Sequence, residues 1–402
     1  MYSNLNKHYL FIIHLLVFLL LCISHNNNIF LILKKQINCG GSCVLADEEQ
    51  KSIYEKDLVS TSITYQEIID HHDRFLKPNA SAIKYFDGGP TLAYVTPWNS
   101  HGYDIVKMVK GKFEYVSPVW YNIIRRPHLR NKYDLTGAHD VDQTWISEIR
   151  SNNKKQKYGK IVPRFRTQSW TETDYLSLLS SHDEMQQFAK VLADECHTQN
   201  FDGLVLEMGI ASIFLLRDLV QELGELLHQQ GKELILVVSP IRTGVPPSLT
   251  AAQFDDFSFF VDRFSVMVYD YSTSLGNSQG PNADINWVED NILHFTPTSR
   301  NRDKLLLGLN MYGTDYLDSK RSDPIIGKDI IKILEKHKPK KITWDKVSAE
   351  HHFEYVKTGV KHDVWFPTLK SLEQRILLAE DYGTGLSLWE VGQGLDYFYE
   401  LF

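Results

Sequence analysis

The chain has 402 residues, of which 43% are hydrophobic and 12% aromatic, and its formal net charge is −7 at pH 7. This length allows one large domain or two to three small ones, and the composition argues against a disordered protein. The negative charge and the absence of a long Lys/Arg run disfavour nucleic acid as a partner.

Near its N-terminus the sequence has a short basic segment followed by an apolar one. The apolar stretch covers residues 9–24 and is typical of a secretory signal. It is short for a membrane span, which needs about 20 apolar residues. A second apolar patch at Ile29–Leu33 leaves an uncleaved membrane anchor open. We assign residues 1–46 to this leader and residues 47–90 to a polar N-terminal arm, and expect a secreted, endomembrane or lysosomal protein.

Cysteine usage and one glycosylation sequon also bear on secretion. The cysteines are Cys22, Cys39, Cys43 and Cys196. Cleavage after Ala46 leaves Cys196 alone, whereas earlier cleavage leaves Cys39 and Cys43 able to pair, so neither case is a disulfide scaffold. Asn79-Ala80-Ser81 is an N-glycosylation sequon, and we predict a glycoprotein modified at Asn79.

Beyond the arm, short apolar runs alternate with amphipathic helical segments. We predict eight strands from these runs: Leu92–Thr96, Tyr115–Pro118, Lys160–Phe165, Phe201–Met208, Glu233–Ser239, Arg263–Tyr269, Lys304–Leu309 and Gly385–Trp389. The clearest helix has apolar residues at helical spacing from Ile213 to Leu227, and Gly231 suits its C-terminal cap. Another, from Met185 to Cys196, precedes the fourth strand.

The alternation predicts a parallel sheet covered by helices on both sides. Eight strands fit an α/β fold, the (β/α)8 TIM barrel, over residues 91–402, and a doubly wound open sheet is the alternative. No G-x-G-x-x-G follows a strand, so we predict no dinucleotide cofactor. Between strands seven and eight, about residues 314–366, we predict a small α+β insertion. It has one helix and three strand-like pieces: Gly327–Lys336, Lys341–Trp344, Phe353–Val356 and Asp363–Phe366.

The C-terminal ends of the predicted strands are rich in aromatic and acidic residues. Ligands of such barrels bind at these ends. The candidate binding residues are Trp98, Glu207, Tyr269, Asp270, Tyr312 and Trp389. Aromatic faces pack on the C–H faces of sugars, and carboxylates hold hydroxyl or amide groups, so this set predicts a carbohydrate cleft. Glu207 stands out because a carboxylate inside an apolar strand is costly unless it has polar partners.

Other motifs indicate no further chemistry. His139, Asp140 and Asp142 have the spacing of a metal site, but they precede a helical segment and fit loop and N-cap positions better. Ser239 and Ser265 lack a G-x-S-x-G context, so a serine hydrolase is unsupported. We predict neither a metal nor a cofactor.

Several of these stretches resemble family 18 glycoside hydrolases, the chitinase family. Phe201–Gly209 is similar to that family's D-G-x-D-x-D-x-E signature strand, Met267–Asp270 to its M-x-Y-D, and Gly308–Gly313 to its G-x-x-x-Y-G. The resemblance extends from Leu92 to the C-terminus. Three stretches resemble a receptor-interacting branch of the family: Tyr94–Asp104, His139–Gln143 and Trp389–Tyr399.

The resemblance implies which residues should catalyse, and here the sequence departs from the pattern. In active members the last Glu of the motif protonates the glycosidic oxygen, and the preceding Asp orients the substrate's N-acetyl group. In this chain Glu207 occupies that Asp position and Gly209 the acid position. Glycine has no titratable group, and Glu207 lies about 6.6–6.8 Å away along the strand. We therefore expect an N-acetylglucosamine-type oligosaccharide to bind at the six residues above, no catalytic residue, and no enzyme.

The sequence is also compatible with two other functions. One is an active hydrolase with a relocated acid, for which Glu390 and Asp270 are the nearest spare carboxyl groups. The other is a scaffold whose partner is a receptor protein and whose cleft is vestigial. A membrane contact is expected only through an uncleaved leader.

Overall fold

The computed structural model describes residues 51–74, 83–128, 132–150, 158–210, 212–276, 278–318 and 321–402. The predictions about the leader, the Cys39–Cys43 pair and glycosylation at Asn79 lie outside these residues. Within them, no helix combines the length and the apolar character needed to cross a membrane. Residues 52–402 form one compact unit, and all that follows concerns this unit.

The main sheet consists of short, mostly buried and mostly parallel strands. Its strands are β1 (Thr91–Val95), β2 (Tyr115–Pro118), β3 (Tyr121–Arg125), β4 (Tyr133–Thr136), β5 (Lys160–Ile161), β6 (Arg164–Thr167), β7 (Gly203–Glu207), β8 (Glu233–Val238), β9 (Arg263–Val266), β10 (Leu305–Asn310) and β16 (Gly385–Trp389). Along the sheet the order is β4-β3-β6-β7-β8-β9-β10-β16-β1-β2-β5. Seven of the eight predicted runs overlap one of these strands, and the run Lys160–Phe165 is divided between β5 and β6.

The sheet curls into a ring. β1 pairs in parallel with both β2 and β16, so the first and last strands of the chain are neighbours. β2 pairs with β5. After a short interruption β3 continues β2 and β6 continues β5, and β3 pairs with β6. These four pieces therefore act as the second and third of eight barrel strands, and the predicted (β/α)8 barrel is confirmed. The hairpin partner β4, antiparallel to β3, was not predicted.

Helices surround the ring. They are α1 (Tyr65–His71), α2 (His101–Met108), α3 (Gln143–Arg150), α4 (Glu172–Leu179), α5 (His182–Thr198), α6 (Arg217–Gln229), α7 (Ala251–Phe257), α8 (Tyr271–Ser274), α9 (Ile285–Phe295), α10 (Gly327–His337) and α11 (Leu369–Tyr382). α6 buries Leu219, Val220, Leu223 and Leu227, and the last three belong to the face predicted from apolar spacing. The other two predicted members, Ile213 and Leu216, are buried in a short 3-10 helix just before α6. Gly231, just beyond its end, has φ of 68°, a left-handed conformation that glycine adopts without steric cost.

Side chains on opposite faces of the strands form two separate apolar clusters. A small cluster fills the ring and includes Leu92, Val162, Val205, Ile235 and Leu306. A large one lies between the sheet and the helices. Since residues two apart face the same way, Glu207 faces the ring interior above Val205. The interior of the ring is therefore filled with apolar side chains below Glu207, and its mouth, at the C-terminal ends of the strands, is polar.

A second, five-stranded antiparallel sheet lies between β10 and β16 in the sequence. It comprises β11 (Gly313–Asp318), β12 (Arg321–Ile325), β13 (Thr343–Asp345), β14 (Glu350–Lys357) and β15 (Val360–Phe366), in the order β12-β11-β15-β14-β13. Three of these strands and α10 correspond to the elements predicted there. β11 and β12 were missed, because β12 is an edge strand with Ser, Asp and Pro and has no apolar alternation.

Candidate active site

The mouth of the ring brings together five of the six candidate binding residues. Glu207 and Trp389 are the last residues of β7 and β16, Tyr269 and Asp270 follow β9, and Tyr312 follows β10. Because the strands are parallel, all of these positions lie at one end of the barrel. Burial of Tyr269 raises the pKa of its hydroxyl, as do the nearby Tyr94, Glu207 and Asp270, so this hydroxyl stays protonated.

Glu207 is held by two arginines of the neighbouring strand. Its Oε2 lies 3.0 Å from Nη1 of Arg164, and its Oε1 lies 3.3 Å from Nε of Arg166. The guanidinium carbon of Arg164 lies 5.1 Å from the centre of the Trp389 ring. Each oxygen of Glu207 is thus in an ion pair with a guanidinium group, which offsets the cost of placing this carboxylate at the top of an apolar barrel. The sequence predicted that Glu207 needs partners, but Arg164 and Arg166 were not identified.

Trp389 forms the aromatic floor of the mouth. Its ring meets that of Tyr94 edge to face, with the ring centres 5.2 Å apart. The Tyr94 hydroxyl donates to Oγ of Ser265 at 3.0 Å, and Ser265 donates to Oγ of Ser387 at 3.1 Å. This buried series of hydrogen bonds crosses the barrel interior from β1 to β9 and β16. It fixes the aromatic ring of Tyr94, against which Trp389 packs.

Asp270 and Tyr312 form the opposite side of the mouth. The Tyr312 hydroxyl donates to Oδ1 of Asp270, and burial raises the pKa of this hydroxyl, with the Asp270 carboxylate adding to the effect. The backbone of Asp270 is left-handed, with φ of 59°, and its N–H donates to Oδ1 of Asn282 at 2.8 Å. No partner for Oδ2 of Asp270 is found among the described residues. One carboxyl oxygen therefore remains for a ligand.

A cavity of about 470 Å³ opens beside these residues. Asp270, Tyr312 and Trp389 line it from the barrel, and Ser322 and Pro324 of β12 line it from the second sheet. This volume is in the range of small-ligand sites. The mouth therefore has an aromatic face, a carboxyl group and hydroxyl donors around a space that fits a sugar.

Gly209, at the position of the family acid, makes backbone contacts. Its N–H donates to Oγ1 of Thr167 at 3.1 Å and to the hydroxyl of Tyr175 at 2.9 Å. A Cβ added to Gly209 would lie 3.2 Å from that hydroxyl, a tight contact. The residue itself is exposed at the rim.

Two other candidates lie apart from the cavity. Trp98 is 69% exposed in the loop after β1, and within the described ranges no hydrogen bond or ring contact joins it to the other five candidates. Glu390 is fully buried, where Oε1 accepts from Nδ2 of Asn99 at 2.7 Å and Oε2 accepts from the N–H of Gly392 at 2.9 Å. Burial raises its pKa to about 7. Glu390 is thus out of reach of a ligand in the cavity.

The His139, Asp140 and Asp142 stretch has the loop and capping roles that its spacing indicated. Oδ1 of Asp142 accepts from the N–H groups of Thr144 and Trp145, at 2.9 and 3.0 Å, at the start of α3. His139 is exposed, and its Nε2 lies 3.6 Å from Asp140. In the described part of the chain, no group of three or more His, Cys, Asp or Glu side chains is arranged to hold a metal ion.

Comparison with known proteins adds to this geometry. The sequence model of the family described as Glycosyl hydrolases family 18 matches residues 91–394. The cortical fragment-lytic enzyme of Bacillus anthracis is 28% identical over 141 residues, which are 33% of this chain and 32% of that protein. The chain therefore matches about a third of the length of this curated relative.

Solved structures share the fold. The chitinase of Chromobacterium violaceum has a TM-score of 0.67 and 19% identity, with 78% of this chain and 97% of that one covered. A family 18 chitinase of Cycas revoluta, solved in complex with (GlcNAc)3, has a TM-score of 0.62 and 14% identity, with 78% and 98% covered.

These comparisons contradict our expectation that the chain is not an enzyme. The relatives are named as lytic enzymes and chitinases. The expectation rested on Gly209 alone. The absence of a side chain there removes one proton donor, but another carboxyl group at the mouth can still act as the acid.

Proposed function

This chain belongs to family 18 of the glycosyl hydrolases, and from that premise we propose that it binds and hydrolyses an oligosaccharide that contains N-acetylglucosamine. The observation that carries the proposal is the cavity lined by Trp389, Tyr312 and Asp270. An indole face supplies apolar contact for a sugar ring, while hydroxyl and carboxyl groups recognise its polar substituents. The solved complex of a family 18 chitinase with (GlcNAc)3 supports this choice of sugar.

Asp270 is the proposed general acid. It lines the cavity, and its Oδ2 has no partner among the described residues, whereas both oxygens of Glu207 are in ion pairs with arginines and Glu390 is buried elsewhere. In the proposed reaction Asp270 donates a proton to the leaving glycosidic oxygen as its bond to the anomeric carbon breaks, and the N-acetyl oxygen of the substrate bonds to that carbon, as the family resemblance implies. Water then adds to the anomeric carbon, which breaks the bond to the N-acetyl oxygen, and its proton returns to Asp270.

The test is turnover of a fluorogenic N,N′-diacetylchitobioside by the purified chain, alongside calorimetric titration with chitotetraose. Asp270→Asn should lower kcat by roughly 10²–10⁴-fold, the usual contribution of positioned acid catalysis, while binding persists. Trp389→Ala should weaken binding, and Trp98→Ala should have a smaller effect because Trp98 lies apart from the cavity.

Asp303→Asn serves as a matched control, since the Asp303 side chain is 77% exposed at the opposite end of β10. Turnover that Asp270→Asn leaves unchanged would exclude Asp270 as the acid. A wild-type chain that binds chitotetraose without cleaving it would refute hydrolysis, and a chain that does neither would refute the whole proposal.

Two finer assignments are also proposals. Tyr94–Asp104, His139–Gln143 and Trp389–Tyr399 favour the branch of stabilin-1-interacting chitinase-like proteins, and a receptor partner would follow from that membership. The apolar stretch at residues 9–24 favours secretion or an endomembrane location. N-terminal sequencing of the protein recovered from culture medium tests the second assignment.

A further inference from the structure

Two arginines of β6 point into the mouth of the ring. Arg164 and Arg166 are two residues apart and therefore face the same side of the strand. Arg166 is paired in register with Glu207, and Arg164 with Val205, one layer deeper. Both guanidinium groups thus lie beside the one carboxylate that ends β7.

The charges of Glu207, Arg164 and Arg166 do not balance. Glu207 supplies one negative charge to two guanidinium groups. Asp270, the other carboxyl group beside Tyr269, accepts from the Tyr312 hydroxyl instead of pairing with either arginine. One arginine would be enough to neutralise Glu207, so Glu207 alone does not neutralise the pair.

The hydrogen-bonding capacity of the arginines is also incompletely used. Arg164 is only 7% exposed, and its buried Nε has no hydrogen-bond partner among the described residues. Arg166 has a 54% exposed side chain, and its Nε lies 3.3 Å from Oε1 of Glu207. Neither terminal nitrogen of Arg166 makes a hydrogen bond to a described residue, so both are available to a ligand.

We propose that Arg166, supported by Arg164, binds a carboxylate carried by a sugar of the ligand, so that the preferred substrates are acidic oligosaccharides rather than neutral ones. A guanidinium presents parallel N–H groups that match the two oxygens of a carboxylate, and such charge-assisted bonds are stronger than neutral ones. The neighbouring Trp389 would pack against the ring that bears the acid. This inference rests on the proposed glycan-binding function and specifies the ligand class.

The test compares four tetrasaccharides by calorimetric titration of the intact chain. Hyaluronan tetrasaccharide has N-acetylglucosamine and carboxylates, its carboxyl-reduced form is the matched neutral ligand, chitotetraose is neutral throughout, and keratan sulfate tetrasaccharide carries sulfate without carboxylate. We expect the hyaluronan fragment to bind roughly tenfold more tightly than its reduced form. Higher salt should reduce this preference, since an exposed ion pair is screened.

Variants separate the role of Arg166 from a general charge effect. Arg166→Gln should lower the ratio of acidic to neutral affinity towards one, and Arg166→Lys should retain part of it. Lys190→Gln, which removes one positive charge from the exposed face of α5, should leave the ratio at the wild-type value. Circular dichroism of each variant verifies folding.

The outcomes distinguish this inference from the proposed function. Equal affinities for the hyaluronan fragment, its reduced form and chitotetraose would overturn the acidic preference and leave the glycan-binding function intact. Equal binding of keratan sulfate and hyaluronan fragments would overturn carboxylate selectivity in favour of a general anion site. Absence of binding to all four ligands would overturn both proposals.

Discussion

Glu207 illustrates how a single charged residue is kept at the top of an apolar barrel. Removing a carboxylate from water costs several kcal/mol unless nearby cations and donors compensate. Arg164 and Arg166 provide that compensation, and the Trp389 ring covers the guanidinium of Arg164. The ion pairs, together with the cation–π contact, connect β6, β7 and β16 beside the cavity.

Glu390 gives the molecule a pH-dependent stability. Burial raises its pKa to about 7, above that of an exposed carboxyl group, so the folded state binds more protons between about pH 4.5 and 7. The free energy of unfolding therefore falls as the pH rises through this window, by at most about 1.4 kcal/mol per pH unit from this group. We expect Glu390→Gln to have a shallower decline than the wild type.

Urea unfolding at pH 5, 6, 7 and 8 measures the two slopes. The slope is the diagnostic quantity, because the Gln amide group cannot accept from both Asn99 and Gly392 and lowers stability at every pH. Parallel curves for the two proteins would show that Glu390 does not titrate in this range.

At the scale of elements, Gly209 joins β6, α4 and the end of β7. Its N–H reaches hydroxyl groups of Thr167 and Tyr175, which are themselves 2.6 Å apart. Burial raises the pKa of the Tyr175 hydroxyl, which therefore stays protonated. The loop after β7 is thus fixed by two neighbouring elements.

Tyr175→Phe should weaken this junction by about 1 kcal/mol, the typical net contribution of a buried hydrogen bond. The loss is modest because Thr167 still accepts from Gly209. Thr167→Ser keeps a hydroxyl and is the matched control, with a smaller change expected. Urea unfolding measures both, and a Tyr175→Phe chain as stable as the wild type would contradict the role of this hydroxyl.

The barrel elements were predictable from sequence to a greater extent than the site. Apolar runs such as Glu233–Ser239 became strands because burial on both faces demands near-continuous hydrophobic residues. β12 and the β3–β4 hairpin were missed because each depends on a partner strand rather than on its own pattern. Arg164 and Arg166 were missed for the same reason, since only the register of β6 against β7 brings them to Glu207.

At the scale of the whole molecule, the second sheet supports the mouth of the barrel. Glu350 of β14 accepts from the N–H groups of Asn282 and Ala283, at 3.1 and 3.2 Å. The side chain of Asn282 in turn accepts from the N–H of Asp270. Arg375 of α11, also buried, lies 3.5 Å from Glu350. A relay of contacts therefore runs from α11 through the second sheet to the proposed acid.

Glu350→Ala should therefore lower both stability and activity. It leaves two N–H groups unpaired and Arg375 without its buried counter-charge, at a cost of about 3 kcal/mol or more in the free energy of unfolding. Turnover per folded molecule should also fall, because Asn282 no longer fixes the backbone of Asp270. Unfolding curves and the chitobioside assay measure the two effects.

Glu354→Ala is the control for this change, since Glu354 lies on the same strand, is exposed and forms an ion pair with Lys361, and should alter stability by less than about 0.5 kcal/mol. Wild-type turnover in a destabilised Glu350→Ala chain would exclude the positioning role while keeping the structural one.

The pairing of β1 with β16 has a consequence for synthesis on the ribosome. These neighbouring strands lie near opposite ends of the described barrel sequence, with Thr91 opposite Leu386. While the chain emerges from the exit tunnel, β1 can meet β2 but has no partner on its other side. An unpaired apolar strand edge promotes aggregation. The nascent chain must therefore keep this edge covered, by transient contacts or by a chaperone, until β16 has been made and the ring can close.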